Sequence, residues 1–307
     1  MKHITTKQFQ MFSDIDLVWD FLVEIHDRGW ANGVAAPFFE YAITSSWMDK
    51  SYQHLNRLWF DGDRVIAFVF NEAPVTDIYF CLRPGYEDLA DELVDYAEEV
   101  MPNFDNMRRF IVFGKQKALT KILVERKYKI EYEYEDLVID FEQAELNYNL
   151  PKGFHFVDPL KVDPEKLALC CWKGFNHEDK GPFEKWREKD PGTEWNPVKQ
   201  YNGVLSELIA PPPHSTHEYN VIIANENEDY VCYSGMWWVP ENNLAYMEPL
   251  CTIPEYRKMG LAAAALSMHY HRLKALGAKY MTGGSDEFYK KIGYSEGMTW
   301  VIWKKEM

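Results

Sequence analysis

The strongest constraint on how this 307-residue chain folds is that its sequence spells one order of elements twice. In the first half, Asp16–Glu24 and Phe38–Thr44 carry apolar residues at helical spacing. Trp59–Phe60 and Arg64–Phe70 then flank the turn Asp61-Gly62-Asp63, a hairpin signature. Asp77–Leu82 reads as a strand, Asp88–Val100 as a helix, Arg108–Phe113 as a strand, Lys115–Glu125 as a helix and Tyr134–Phe141 as a strand. In the second half, Gly153–Val157 reads as a strand, and Asp163-Pro164 is a helix start. His217–Ala224 and Tyr230–Val239 form a strand pair, and Leu244–Thr252 is a further strand. Leu261–Leu276 is a helix stopped by Gly277. Lys279–Thr282 (strand), Asp286–Ile292 (helix) and Thr299–Trp303 (strand) close the chain.

The halves superpose with Pro84-Gly85-Tyr86 on Pro254-Glu255-Tyr256 and Tyr128 on Tyr294, an offset of about 170 residues. That period is too long for a solenoid and fits a duplicated domain. The polar stretch Glu142–Lys152 marks the expected boundary, giving domains 1–142 and 143–307. Between Lys180 and Pro213 the second half carries extra material rich in Pro, Gly and Trp, read as an excursion over a substrate site.

Composition excludes several function classes. A formal net charge of -15 argues against nucleic acid, whose phosphates need basic patches, and mildly favours cationic small molecules. No run of about 18 apolar residues occurs, so no membrane span or membrane partner is expected. The first residues lack an apolar core of the secretory type, and the five cysteines are odd in number with no C-x-x-C spacing. The expectation is a cytoplasmic protein with reduced thiols and no metal. His269 and His271, two apart on a helix, do not share a face, and Cys170-Cys171 read as packing residues.

The chemistry-bearing stretch is Leu250–Ala262. A strand ends, a Pro-led turn follows, and Arg257-Lys258-Met259-Gly260-Leu261-Ala262 runs into an Ala-rich helix. The first N–H groups of a helix lack internal partners and sit at its positive dipole end, so a pyrophosphate can take them if the backbone allows close approach. Gly260 and Ala262 keep that approach open, and Arg257 and Lys258 add positive charge. Alone, R-x-x-G-x-A is a common helix start.

In context the sequence resembles the GNAT N-acetyltransferase superfamily. That family's run is a strand, V-x-P-x-Y-R-x-x-G-x-G/A and a long helix. Leu250-Cys251-Thr252-Ile253-Pro254-Glu255-Tyr256-Arg257-Lys258-Met259-Gly260-Leu261-Ala262 follows it, with Thr252 in the Val place. A second family motif, N-x-x-A-x-x-L/F-Y-x-K-x-G-F/Y, meets Thr282-Gly283-Gly284-Ser285-Asp286-Glu287-Phe288-Tyr289-Lys290-Lys291-Ile292-Gly293-Tyr294, with Thr282 and Ser285 replacing Asn and Ala.

The resemblance implies an α+β fold of two tandem domains, each a mostly antiparallel mixed sheet flanked by helices. It also implies acetyl-CoA as co-substrate, held by Leu250, Cys251, Thr252, the 257–262 run and Thr282. The strand ending at Leu250–Thr252 should splay from its neighbour and admit the pantetheine arm. Loss of Asn at 282 puts one side-chain contact in doubt. Tyr289 is implied as the general acid for the leaving thiolate, and Glu248 is the candidate base for an ammonium substrate. Trp237, Trp238 and Tyr246 are candidates to line a pocket for a cation, with core packing as the competing role. His177, with Glu178 and Asp179, falls in a loop that gates substrate in such folds.

The first half lacks these features: Glu87 aligns with Arg257, Glu92 with Ala262 and Leu123 with Tyr289, while Asp88 and Asp91 crowd the same helix start. Four carboxylates there repel a phosphate. The expected function is acetyl transfer to a small-molecule amine. Other readings are a longer acyl or aminoacyl donor, or a non-catalytic acyl-CoA sensor. The sequence leaves monomer and homodimer open.

Overall fold

The computed structural model describes residues 3–45, 50–72, 77–103, 106–183, 196–208 and 211–307. The chain divides into two compact units. Unit 1 comprises Met1–Thr44, Met48–Asp136 and Gly297–Met307, and unit 2 comprises Ser45–Trp47 and Leu137–Glu296.

In unit 1, strands β1 (Ile4–Gln8), β2 (Arg57–Asp61), β3 (Arg64–Glu72) and β4 (Asp77–Leu82) pair antiparallel in that order. β5 (Met107–Phe113) joins β4 in parallel, and the last strand, β12 (Gly297–Glu306), pairs antiparallel with β5. Val65–Asn71 of β3 is buried at every position, as a strand covered on both faces must be. Helices α3 (Ala90–Glu99) and α4 (Lys117–Glu125) press Leu93, Val94, Leu119 and Leu123 onto one face, against Ile66, Phe80 and Phe110. Helices α1 (Met11–Ile25) and α2 (Ala36–Thr44) belong to the same unit, and Phe39 of α2 meets Phe68 and Phe70 of β3 edge-on.

Unit 2 repeats the plan. β7 (Phe154–Val157), β8 (Val221–Asn225), β9 (Tyr230–Val239) and β10 (Leu244–Thr252) pair antiparallel, and β11 (Tyr280–Thr282) joins β10 in parallel. The end of β6 (Lys129–Asp140) completes this sheet, Val138–Asp140 pairing antiparallel with β11. Helix α5 (Pro164–Gly174) starts where Asp163 accepts the Glu165 and Lys166 N–H groups, and it packs on β9 and β10. Helix α6 (Pro197–Leu208) packs on α5, α7 (Leu261–Ala275) on β8 to β10, and α8 (Glu287–Lys291) precedes β12. α6 belongs to the 180–213 excursion; residues 184–195 and 209–210 of it lie outside the described residues.

The duplication is visible in matching backbone bonds. The Arg83 N–H donates to Ile66 O, as the Ile253 N–H does to Val231 O. The Tyr128 N–H donates to Leu123 O, as the Tyr294 N–H does to Tyr289 O, each closing a helix with a residue at positive φ one position earlier. The Tyr86 hydroxyl bonds Asp61 at the end of β2, and the Tyr256 hydroxyl takes an N–H from Asn225 at the end of β8.

The units do not part at 142/143. Thr299–Trp303, read from sequence as the last strand of the second domain, lies in unit 1. There β12 pairs Trp300 with Phe113 and Trp303 with Phe110. The stretch before 142 supplies unit 2 with Leu137–Asp140. Strand β1 carries no signal in the sequence; it is short and exposed at all but one half-buried position, so no apolar periodicity marks it.

His269, on α7, is fully buried, and burial pushes its pKa down from 6.5 to about 3, with Arg272 adding to the shift. Between those values the unfolded chain takes a proton that the folded chain refuses, so stability falls as pH drops through 6.5. Over that range the loss is on the order of a few kcal/mol. Thermal unfolding at pH 7.5 and pH 5.0 should therefore show a larger pH-dependent loss in wild type than in His269→Leu. His26, pushed down to about 4 by burial, titrates in both proteins. Equal losses would show that His269 is not buried as a neutral ring.

Candidate functional site

The site in unit 2 begins where β10 leaves β11. Their parallel pairing covers only Leu244↔Tyr280 and Ala245↔Met281. At Met247 the backbone N–H donates to the Thr282 side-chain hydroxyl of β11, 2.8 Å away, rather than to its backbone. On the other side, β10 pairs with β9 through Thr252, with a bulge between Met247 and Leu250. The Ile253 N–H points at Val231 of β9, so strand alternation turns the Leu250 and Thr252 backbone groups toward the β11 side. Among the described residues no strand pairs with that edge at 250–252.

The bulge depends on Gly235. A Cβ there would lie 2.1 Å from the Glu248 carbonyl oxygen and 3.0 Å from Pro249 Cδ. A glycine inside a strand is a readable sign of such close approach. Glu248 sits in the bulge, half-buried, so simple alternation does not put it on the face of Leu250. The Glu248–Pro249 peptide is cis.

Beyond Thr252, Pro254–Tyr256 makes one 3-10 turn and the chain turns into α7 through Lys258 and Gly260, both at positive φ. Gly260, at φ 89°, is the N-cap and has no side chain to cap the helix. The Ala264 N–H takes the Gly260 carbonyl, so the N–H groups of Leu261, Ala262 and Ala263 have no intrahelical acceptor. The nearest atom to a Cβ on Gly260 would be Pro151 Cγ at 4.0 Å, so glycine answers here to left-handed backbone and leaves open space. An open strand edge leading to an uncapped helix start fits an extended arm ending in a pyrophosphate.

Tyr289 reaches this region from α8. Its ring lies against Gly283 and Gly284, where a Cβ would come within 2.7 Å and 3.0 Å of it. It is 7% exposed and shares one buried cluster with Ala245 and Met247 of β10, Met281 of β11 and Ala263 of α7.

The remaining sequence-derived residues separate. Lys258 and Met259 are exposed at the turn, Leu261 is buried under it and Ala262 is half-buried. Cys251 points its thiol away from the open edge, against Gly174 and the Cys170 carbonyl of α5. Arg257 is drawn back from the helix mouth to Thr252, Gly174 and Asn176. Thr282 spends its hydroxyl on Met247 and is 3% exposed. Tyr246 and Trp237 are direct cross-strand partners, both buried, while Trp238 is half-buried beside them. His177 heads the turn His177–Lys180, its ring tilted against Trp172 and Phe175. Burial lowers its pKa, and Lys180 adds to this. Among the described residues no group of three or more His, Cys, Asp or Glu is arranged to hold a metal, and no helix is long and apolar enough to cross a membrane.

The equivalent place in unit 1 is closed. β4 and β5 are parallel-paired only at Ile78↔Phe110 and Tyr79↔Ile111, so the same splay opens. Here the chain fills it. The Gln116 amide donates to Phe80 O and accepts from the Phe113 N–H, while the Leu82 N–H donates to Asn32 O. Phe80 and Leu82 correspond to Leu250 and Thr252 at the 170-residue offset. The β3–β4 pairing has no bulge, and Ile78 stands at the place of Glu248. The turn Glu87–Leu89 runs straight into α3, with the Ala90 N–H bonded to Glu87 O and no left-handed residue between.

Residues 165–294 match a family model described as the Acetyltransferase (GNAT) family. No curated protein matches the sequence. Among solved structures, the chain is similar to a tandem GNAT protein from the clavulanic acid biosynthesis pathway (10% identity, TM-score 0.59, covering 99% of this chain and 98% of that one). It is similar to a GCN5-related N-acetyltransferase from Sphaerobacter thermophilus (12% identity, TM-score 0.58, 99% and 95% covered). A GNAT-family acetyltransferase from Colwellia psychrerythraea gives 11% identity and a TM-score of 0.57, with 98% and 99% covered. At such identities the likeness concerns the fold.

Gly235→Ala should remove the bulge or the pairing around it, with a loss of about 2–4 kcal/mol in unfolding free energy, as for other forced backbone clashes. Denaturant unfolding checks this; a loss below about 0.5 kcal/mol, the size of an ordinary surface substitution, would mean the strands tolerate the added methyl.

Proposed function

Because residues 165–294 match the GNAT family in a chain with the tandem GNAT fold, we propose that this protein moves an acetyl group from acetyl-CoA to a primary amine of a small molecule. The observation that carries the reading is the open β10 edge leading to the uncapped, glycine-turned start of α7, beside Tyr289. Unit 1 closes the same feature with its own backbone and side chains.

In this reading the Leu250 backbone groups and the Thr252 N–H pair with the pantetheine arm, and the N–H groups of Leu261–Ala263 take the pyrophosphate. The amine enters a ternary complex and gives its excess proton to Glu248, directly or through water. Its nitrogen then attacks the thioester carbonyl, the C–N bond forms and the C–S bond breaks. The leaving sulfur takes its proton from the Tyr289 hydroxyl, whose buried setting keeps bulk water from competing, and the attacking nitrogen gives up its second proton to the phenolate, which restores Tyr289. Tyr246 and Trp237, side by side on β10 and β9, offer ring faces to a cationic acceptor, and the acidic chain favours its approach. The turn carrying His177 covers that acceptor. No step calls on a metal. The reading places the protein in the cytoplasm, where acetyl-CoA and reduced thiols coexist.

A sensor that binds acyl-CoA without turnover is the second reading, favoured by Thr282, whose hydroxyl is committed to Met247. The two separate in one assay: release of free thiol from acetyl-CoA against a panel of amines, aminoglycosides, polyamines and peptide N-termini. Catalysis predicts release with at least one acceptor, lowered by roughly 10²–10⁴ in Tyr289→Phe as expected for loss of a general acid. No acceptor-dependent release, together with thermal stabilisation by CoA, would leave the sensor.

A further inference from the structure

Arg257 holds the position from which the sequence assigns it to the pyrophosphate, yet its guanidinium faces elsewhere. Nε donates to the Thr252 carbonyl at 3.0 Å, and Nη2 donates to the Gly174 carbonyl and to Asn176 Oδ1, both at 2.8 Å. These acceptors lie on three segments. Thr252 ends the open edge of β10, Gly174 is the last residue of α5, and Asn176 begins the turn that carries His177.

The chemistry of this junction is specific. The carbonyl end of α5 carries partial negative charge and unpaired acceptors, which a guanidinium satisfies better than an ammonium because its donors are held in a planar fork. α5 can come this close only because residue 174 is glycine. A Cβ there would lie 2.8 Å from Cys251 Cβ and Sγ, and 3.5 Å from the Thr252 nitrogen. Asn176 adopts the left-handed conformation, φ 60°, that brings its amide to the guanidinium. In unit 1 the aligned Glu87 accepts at its carboxylate from the Gly85 N–H, two residues before it in the same turn.

We propose that Arg257 is a positioning residue, a bracket through which occupation of the β10 edge by the pantetheine arm orders the 174–181 segment on the acceptor side. The Thr252 carbonyl it holds belongs to the same residue whose N–H faces the open edge, so an arm seated there steadies the anchor of the bracket. This rests on the site assigned under the proposed function, but its test reads CoA binding and not acetyl transfer.

The test is hydrogen–deuterium exchange of the full-length protein with and without saturating CoA, in wild type and in Arg257→Met and Arg257→Lys. The expected result is that CoA slows exchange across 174–181 in wild type and leaves it unchanged in both variants, although both still bind CoA. Titration with pantetheine, which lacks the phosphates, adds a second readout. A bracket lowers the affinity for CoA and for pantetheine by similar factors, roughly tenfold as for loss of a charge-assisted hydrogen bond. Loss confined to CoA would make Arg257 a phosphate ligand and overturn the proposal, as would protection of 174–181 that persists in the variants. Should Arg257→Met not fold, Asn176→Gly keeps the left-handed backbone, removes one contact, and should weaken the same protection. Failure of wild type to bind CoA would instead contradict the proposed function, while binding without protection of 174–181 would contradict the bracket alone.

Discussion

The geometry of unit 2 depends on one constraint: β10 is held on both sides for two residues only. Past Ala245 its β11 side is supported by the Thr282 hydroxyl, and then by nothing among the described strands. An unpaired strand edge inside a folded unit leaves backbone donors and acceptors that need partners, and a buried amide without one is costly. Under the proposed function, an extended ligand with amides of its own meets that need. The bulge opposite Gly235 turns the strand at the point of separation, and Gly260 turns the chain so that the edge leads to a helix start.

Unit 1 meets the same constraint from within the chain. Its splay is the same length, and its edge groups at Phe80 and Leu82 are met by Gln116 and by the backbone of Asn32. Gly33 lets that inserted segment lie on Cys81, since a Cβ would fall 2.6 Å from its sulfur. The carboxylates around α3 are likewise used internally, Glu92 by Trp59 and Asp91 by Arg126. Two copies of one design thus differ in whether the chain completes the edge or leaves it open, and the proposed cofactor site follows the open edge of unit 2.

The sequence made the elements legible because apolar runs, Asp163-Pro164 and Asp61-Gly62-Asp63 are local signals. It made the left-handed turn into α7 legible because the motif around Gly260 encodes a backbone conformation that only certain residues adopt. The division between units was not legible. Which sheet takes β12 is decided by the packing of Trp300 and Trp303 against β5, a contact between residues nearly two hundred positions apart. Arg257 shows the same limit: beside a helix start a positive side chain suggests an anion ligand, and its bonds to Gly174 and Asn176, far back in the chain, emerge only in the fold. Gly235 and Gly174 carried a signal in principle, as glycines inside a strand and at a helix end, but what each one touches lies far off in the chain.

The central claim is that one edge of two is open to the cofactor. Calorimetric titration of the whole protein with CoA tests it directly. The account predicts saturation at one CoA per chain. Saturation at two per chain would contradict the closure of unit 1, and the absence of any binding heat or competition at millimolar CoA would contradict the open edge of unit 2.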